Sequence, residues 1–402
     1  MIADRSFLSA EVVADPYPYL HALRSEDPVH WSKLHQAWVL MRYDDVSRAF
    51  LDERFSSARV GSLLPIEPSN EERDAFAPIV RLLGNWMVFT DPPDHARLRR
   101  LARAAFSVRI VERLRPTIES LVERFIADIA REGQVDFVAR FASPLPANVI
   151  AALLGVPVAD RERFQRWSEE MAPLVFGGGQ TGQRRDRALG SLVALEAYFR
   201  DLLDRYRREP GENLLSALAR AEEKGDVLSA DEVIGNCVLL LFAGLETTAN
   251  LLGTGVLHLD RHPEERRRLV ANPALAPVAV EELLRYDGPS KMQGRIAAED
   301  VEIRGRRIRA GERVLLCQAA ANRDPERFPE PDRLDFDRPD NEHLAFGVGM
   351  HYCLGAPLAR LEAEVAFSAL ATRLPNLTVI ADRLEWHGSV LGRGLKALPI
   401  AA

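Results

Sequence analysis

The sequence predicts a mainly α fold with small β-sheets. Apolar residues recur at helical spacing over most of its length, β-like alternation is confined to short runs, and 47% of the 402 residues are hydrophobic. That content can bury one large core or two ordinary ones. Prolines and short polar links separate the helices without a long linker or an internal repeat, so residues 1–402 read as a single domain.

Taken in order, PVHWSK (28–33) and AWVLMR (37–42) alternate as strands. Helical periodicity follows over 92–106, 109–131, 145–154, 160–173 and 185–207. The first of these has Asp91 as its N-cap and Pro92 as its first residue. FGGGQTG (176–182) reads as a turn between two helices, or as the hinge of a lid. Helices over 230–258, 263–270 and 275–286 come next, then strand runs VEIRGRRI (301–308) and RVLLC (313–317), and last a helix over 355–373.

Composition excludes several classes. Cys237, Cys317 and Cys353 lie far apart with no CxxC pair, which argues against a disulfide framework or zinc cluster and fits a reducing, cytoplasmic setting. The first twenty residues lack a basic region followed by an apolar one, and no run approaches ~18 uninterrupted apolar residues, so no membrane association is expected. A net charge of −7 argues against nucleic acid as a partner.

The segment 230–258 is opened by a capping box, Ser229 with Glu232, and is apolar on every face, as a central buried helix should be. Its middle nevertheless carries Gly244, Glu246, Thr247 and Thr248, where a buried carboxylate is costly unless partnered. Either the helix kinks there, with threonine hydroxyls bonded to the previous turn, or the cluster is a polar notch that handles protons. Cys353 stands where a helix begins, in a setting whose free N–H groups favour a thiolate. Gly347, Gly349 and Gly355 let something large and flat approach the backbone.

Phe346, Gly349, Cys353 and Gly355 resemble, in type and spacing, the haem-thiolate signature of the cytochrome P450 family. Chance would place them so in roughly one chain in two thousand of this composition. AGLETT (243–248) resembles the family's oxygen-activating motif, EELLR supplies its Glu-x-x-Arg pair as Glu282 and Arg285, and PERF (325–328) follows. Other Glu-x-x-Arg spacings occur, at Glu112/Arg115, Glu264/Arg267 and Glu265/Arg268, so it is position ahead of Cys353 that selects this one.

The resemblance implies the cytochrome P450 fold, a helix-rich triangular prism around a buried haem, with haem b (protoporphyrin IX iron) as cofactor and Cys353 as axial thiolate ligand. It implies cofactor contacts from His95, Arg99, Leu240, Ala243, Gly244, Thr247, Arg295, Ala345, Phe346, Gly347, His351, Leu354, Gly355 and Ala359. A structural triad of Glu282, Arg285 and Arg327 would brace the cysteine loop, and Glu246 with Thr247 would deliver protons to bound dioxygen. Met87, Val88, Ser290, Met292 and Leu391 would line a largely apolar substrate pocket; Lys291 reads as solvated, or else as the partner of a substrate carboxylate.

The implied activity is that of a bacterial, soluble, cytoplasmic and monomeric monooxygenase, fed by ferredoxin and ferredoxin reductase and acting on a medium-sized apolar molecule. Arg100, Arg103 and Arg360 would meet the acidic ferredoxin. Two rival classes are weaker. The acid and alcohol of the long helix argue against a non-catalytic haem protein, and the lack of a useful triad order around Cys353 argues against a thiol hydrolase. A peroxide-driven oxygenase is disfavoured by the same acid and alcohol.

Overall fold

A computed structural model describes residues 4–63, 77–78, 80–106, 108–175, 182–223, 226–381, 383–388 and 392–402. Contacts group the chain into two compact units, one of residues 1–55, 115–146 and 246–402, the other of residues 56–114 and 147–245.

In the first unit, strands Val29–Ser32, Ala37–Leu40, Arg313–Leu316, Gln293–Ala297 and Phe55–Ser56 lie side by side in that order. Trp31 pairs with Trp38 across the first hairpin, and Arg313–Leu316 runs parallel to Ala37–Leu40, with Val314 opposite Trp38. Alternation sets the inner face: Val29, Leu40, Val314 and Leu316 are buried in one cluster with Val46, Phe50 and Leu344. VEIRGRRI folds as a hairpin in which Arg304 and Gly305 both take positive φ, the conformation of a two-residue primed turn. Thr378–Val379, Pro399–Ala401 and Gln134–Asp136 form a three-stranded sheet.

The same unit holds helices Arg115–Glu132, Pro263–Ala271, Ala276–Asp287 and Ala356–Arg373, the last three within a residue of their sequence-predicted spans. The expected helix 109–131 is broken, because Val108–Glu112 is a separate short helix and the second begins at Arg115. Pro116 fits there because the first turn needs no amide donor.

In the second unit, Arg161–Val175 packs along Gly182–Arg208, with Phe164 edge-on to Phe199 at 5.6 Å. Residues 176–181, the core of the glycine-rich turn, lie outside the described residues. The long helix runs from Ala230 to Arg261, about 48 Å at the α-helical rise, and continues from the second unit into the first. Its capping box forms as read: Glu232 N donates to Ser229 Oγ at 3.2 Å and Ser229 N to Glu232 Oε2 at 2.8 Å. It is the one helix among the described residues long and apolar enough to cross a bilayer, and its most apolar window is mostly buried inside the protein. Gly255 lets its second half close on Ala356–Arg373, since a Cβ there would overlap Phe367 Cζ.

Candidate functional site

The cysteine loop sits in the first unit. Gly347 and Gly349 both adopt positive φ, +68° and +75°, and a Cβ on Gly349 would stand 2.8 Å from Leu51 Cδ2, so side chains are excluded there on two counts. The turn returns through Cys353 N, which donates to Phe346 O at 2.9 Å, and Ala356 N then donates to Cys353 O. The helix starts at Ala356, three residues beyond the cysteine. The amides of Leu354 and Gly355 donate to no backbone carbonyl among the described residues, and a Cβ on Gly355 would lie 3.9 Å from Cys353 Sγ. The three cysteines separate clearly. Cys353 is partly exposed, whereas burial lifts Cys237 far above the usual thiol range and Cys317 to about 12, which keeps both as inert thiols.

What braces this loop differs from the sequence reading. Glu282 is fully buried and accepts from Arg285 Nε and Nη2, both at 2.7 Å. The second arginine on Glu282 is Arg338, whose Nε lies 3.3 Å from each carboxylate oxygen, and not Arg327. Arg327 turns outward to Asp340 and Glu342, at 2.8 and 3.1 Å. The cause is local: burial of Phe328 leaves its neighbour Arg327 on the outer side, while Leu334 and Phe336 go inward and carry the following turn, with Arg338, over Glu282. Asp335 N and Asn341 Nδ2 complete the shell around that carboxylate, at 2.9 and 3.2 Å.

The loop itself is held by the preceding residue, Glu281, which sequence reasoning passed over. Glu281 accepts from Arg360 Nε at 2.6 Å and Nη2 at 2.8 Å and lies 3.2 Å from His343 Nε2. Burial would raise its carboxyl, but Arg360 and His343 hold it down at about 2. Arg360 also stacks over Phe346, 4.6 Å from the ring centre, so it is an internal brace and not a free docking cation. Gln318 Nε2 donates to Leu344 O, Asn322 Oδ1 accepts from Leu344 N at 2.7 Å, and Gly288 permits the approach of Ala345. The doubled glutamate of EELLR was the available signal for Glu281.

Elsewhere in this unit, Arg295 is buried, bonded to Gly294 O and placed over Phe50, while His351 and Ala359 are half-buried. Lys291 is neither solvated nor open to a substrate. It is buried against Asp287, donates to Gly288 O at 2.8 Å, and burial depresses its ammonium to about 8 in spite of Asp287. Asp287 further receives Tyr17 Oη at 2.7 Å, Arg393 Nη1 at 3.0 Å and His258 Nε2 at 2.8 Å. Burial works against its charge, yet Lys291, Arg393 and His258 keep it well below the usual carboxylate range. Met292, expected in a pocket, is core: it is buried in the cluster of Phe7, Tyr17, Leu20, Met41 and Cys317. Ser290 bridges to Gly392 and bonds Gln318, and Leu391 lies outside the described residues.

The long helix carries its polar notch without interruption of the helix, and exposure there is local. Ala243 is exposed and Gly244 to Thr247 are partly so, between Phe242 and Thr248, which are buried. Glu246 Oε2 is closed off from solvent with no hydrogen-bond partner among the described residues, and burial pushes the carboxyl up to about 7.

In the second unit, Gly244 packs on Ile150, whose Cδ1 would be 3.3 Å from a Cβ there, and Leu240 is buried. Met87 and Val88 belong to a short turn anchored to the same helix, with Met87 N donating to Asn236 Oδ1 at 3.3 Å and Asn236 Nδ2 to Asn85 O at 3.1 Å. His95 is buried and Arg99 half-buried on the helix Asp94–Ala105. Asp91 does not act as the side-chain cap of that helix. It serves Ser56 Oγ and Ser57 N instead, and the helix starts three residues later.

These residues fit a flat macrocycle with a thiolate ligand. Two glycines at positive φ shape the loop, Cys353 is partly exposed and followed by two amides that donate to no backbone carbonyl among the described residues, and the long helix is partly exposed over residues 243–247.

Comparison with known proteins agrees. The family model described as "Cytochrome P450" matches residues 196–379. The chain is 42% identical to vitamin D(3) 25-hydroxylase of Pseudonocardia autotrophica over 96% of this chain and 93% of that one. It is 40% identical to 6-deoxyerythronolide B hydroxylase of Saccharopolyspora erythraea, over 90% of each. Among solved structures, P450BioI in complex with hexadec-9Z-enoic acid ligated acyl carrier protein superposes with a TM-score of 0.90 at 34% identity, over 98% of this chain and 100% of that one.

Proposed function

This chain belongs to the cytochrome P450 monooxygenases, and from that premise we propose that it oxidises a medium-sized, largely apolar small molecule with electrons from a ferredoxin and its reductase. Members of the family are oxidoreductases that carry haem with a cysteine thiolate as axial ligand and use dioxygen. Bound haem supplies the activation of dioxygen and the transfer of one oxygen atom to a substrate C–H bond.

The observation that carries the reading is the loop at Cys353, the one cysteine of three that is not locked as a buried thiol. Cys353 would be the ligand, with the amides of Leu354 and Gly355 directed to its sulfur. Thr247, and Glu246 with its carboxyl near 7, would hold and pass protons to the oxygen being reduced; a group half-protonated at neutral pH can both give and regain one. His95, Arg99, Arg295 and His351 are assigned to the two propionates, which need cationic or hydrogen-bonding partners when buried. Residues 1–402 are read as one P450 domain, monomeric and cytoplasmic.

For the substrate, the relatives act on or bind vitamin D(3), 6-deoxyerythronolide B and hexadec-9Z-enoic acid ligated acyl carrier protein, and the Met87–Phe89 turn offers apolar side chains. The deciding experiment is the absorption spectrum of dithionite-reduced protein under carbon monoxide. A strongly red-shifted Soret band, lost in Cys353→Ala, is expected; a band typical of histidine ligation, or one retained in the variant, overturns the ligand assignment.

A further inference from the structure

One titratable side chain beside the notch has so far no role. His387 lies on strand Trp386–Gly388 of the C-terminal hairpin, and its Nε2 stands 3.8 Å from Glu246 Oε1. The approach is built into the packing. Gly394, opposite His387 across the hairpin, has no room for a Cβ, which would overlap Asn250 Oδ1 and stand 2.7 Å from His387 Nε2. Asn250 is one turn beyond Glu246 on the long helix, so glycine at 394 is what lets the hairpin bring the imidazole up to the acid. The imidazole is 45% exposed, whereas Glu246 has one oxygen toward His387 and the other, Oε2, closed off and without a partner among the described residues.

We propose that His387 is the solvent-side member of a proton relay, taking protons from water and handing them to Glu246, which passes them inward. The proposal rests on the reading of Glu246 and Thr247 as the proton-delivering pair. In each cycle the imidazole gives its Nε2 proton to Oε1 of ionised Glu246 while Nδ1 accepts one from water. The carboxyl then rotates to carry that proton inward, releases it and is a carboxylate again, while the imidazole ring turns over to bring its new N–H to the Glu246 side, so one proton moves and no group changes oxidation state. Direct transfer needs the 3.8 Å gap to shorten to below about 3.2 Å, within reach of a single side-chain rotation.

On the facing strand of the hairpin, Arg393 lies over Trp386 and is paired with Asp287 at 3.0 Å. On its own hairpin, Lys396 is 3.4 Å from Glu385, and on the short helix Ala10–Ala14 that packs against this strand, Glu11 is paired with Arg5 at 3.0 Å. Burial, with Lys396 adding to it, lowers the imidazole below its ordinary range, and burial raises Glu246 to about 7, which makes the carboxylate the stronger base of the two and the transfer from ring to acid downhill.

Two measurements test this. In the diamagnetic ferrous carbon-monoxide form, the His387 ring resonances should carry an inflection near pH 7, from ionisation of the neighbouring Glu246, that is absent in Glu246→Gln; a wild-type curve without it overturns the pairing. Separately, with a ferredoxin and ferredoxin reductase and no added substrate, the share of consumed dioxygen released as hydrogen peroxide reports failed proton delivery. It should rise several-fold in both His387→Ala and His387→Gln. Glutamine keeps the size and hydrogen bonding but cannot titrate, so wild-type peroxide yield in His387→Gln overturns the relay in favour of a packing role. If Glu246→Gln raises peroxide while both His387 variants do not, the relay alone fails. If Glu246→Gln also behaves as wild type, the proton-delivering pair fails with it.

Discussion

Replacing Arg338 by alanine should destabilise the protein by about 3 kcal/mol, and replacing Arg327 by alanine should cost no more than about 1 kcal/mol. Arg338 is 6% exposed and Glu282 1%. The variant loses two hydrogen bonds to Glu282 and leaves the carbonyls of Pro329, Arg333 and Glu330, now bonded at 2.7, 3.1 and 3.3 Å, without that donor. Glu282 keeps its bidentate bond to Arg285, so the loss falls at the lower end of the about 3–5 kcal/mol that follows from orphaning a buried charge. Arg327 is 22% exposed and its partners 59% and 80%, where ion pairs are screened and contribute little. Urea unfolding of the haem-loaded proteins, followed by circular dichroism, measures both. Arg338→Lys should recover only part of the loss, since an ammonium cannot span both carboxylate oxygens and three carbonyls. Equal losses at the two positions, or a neutral Arg338→Ala, would refute the assignment of Arg338 as the brace.

Asp287→Ala should cost at least about 3 kcal/mol in the same unfolding assay, because Lys291 and Arg393 would lose their shared buried counter-charge and His258 its hydrogen-bond partner. Gly255→Ala should lower stability by about 1–2 kcal/mol in spite of alanine's better helix propensity, since Phe367 is only 1% exposed and cannot move aside; a stabilised variant would show that the two helices slide apart freely. Glu246 makes stability depend on pH: its folded value near 7 lies above the ordinary 4.5, so the folded state binds the extra proton between them and stability falls as pH rises through that window. The ceiling is about 3 kcal/mol, reduced to about 1 kcal/mol for a side chain 34% exposed, and Glu246→Gln should flatten that part of the pH profile.

The helices were legible where periodicity and end signals agreed. The span read as 230–258 is Ala230–Arg261, and 263–270 is Pro263–Ala271, because Ser229, Glu232 and Pro263 are local chemistry that acts within one turn. Short helices such as Gln318–Ala321 carry too few residues for a period to show, and they form because tertiary packing buries them. Asp91 misled because two serines upstream competed for its carboxylate, a choice no spacing rule encodes.

By itself, the sequence determined the helix-rich architecture, the strand runs and the glycine path around Cys353, since each depends on residues within a few positions of one another. Tertiary structure alone decided which arginine reaches Glu282, that Lys291 is consumed by Asp287, that Arg360 braces the loop through Glu281, and that His387 stands beside Glu246. Charged side chains of one type are interchangeable in a pattern but not in a fold. Their partners are selected by which neighbouring apolar side chain is buried and therefore which way the backbone between them turns, and that selection is made by contacts remote in sequence.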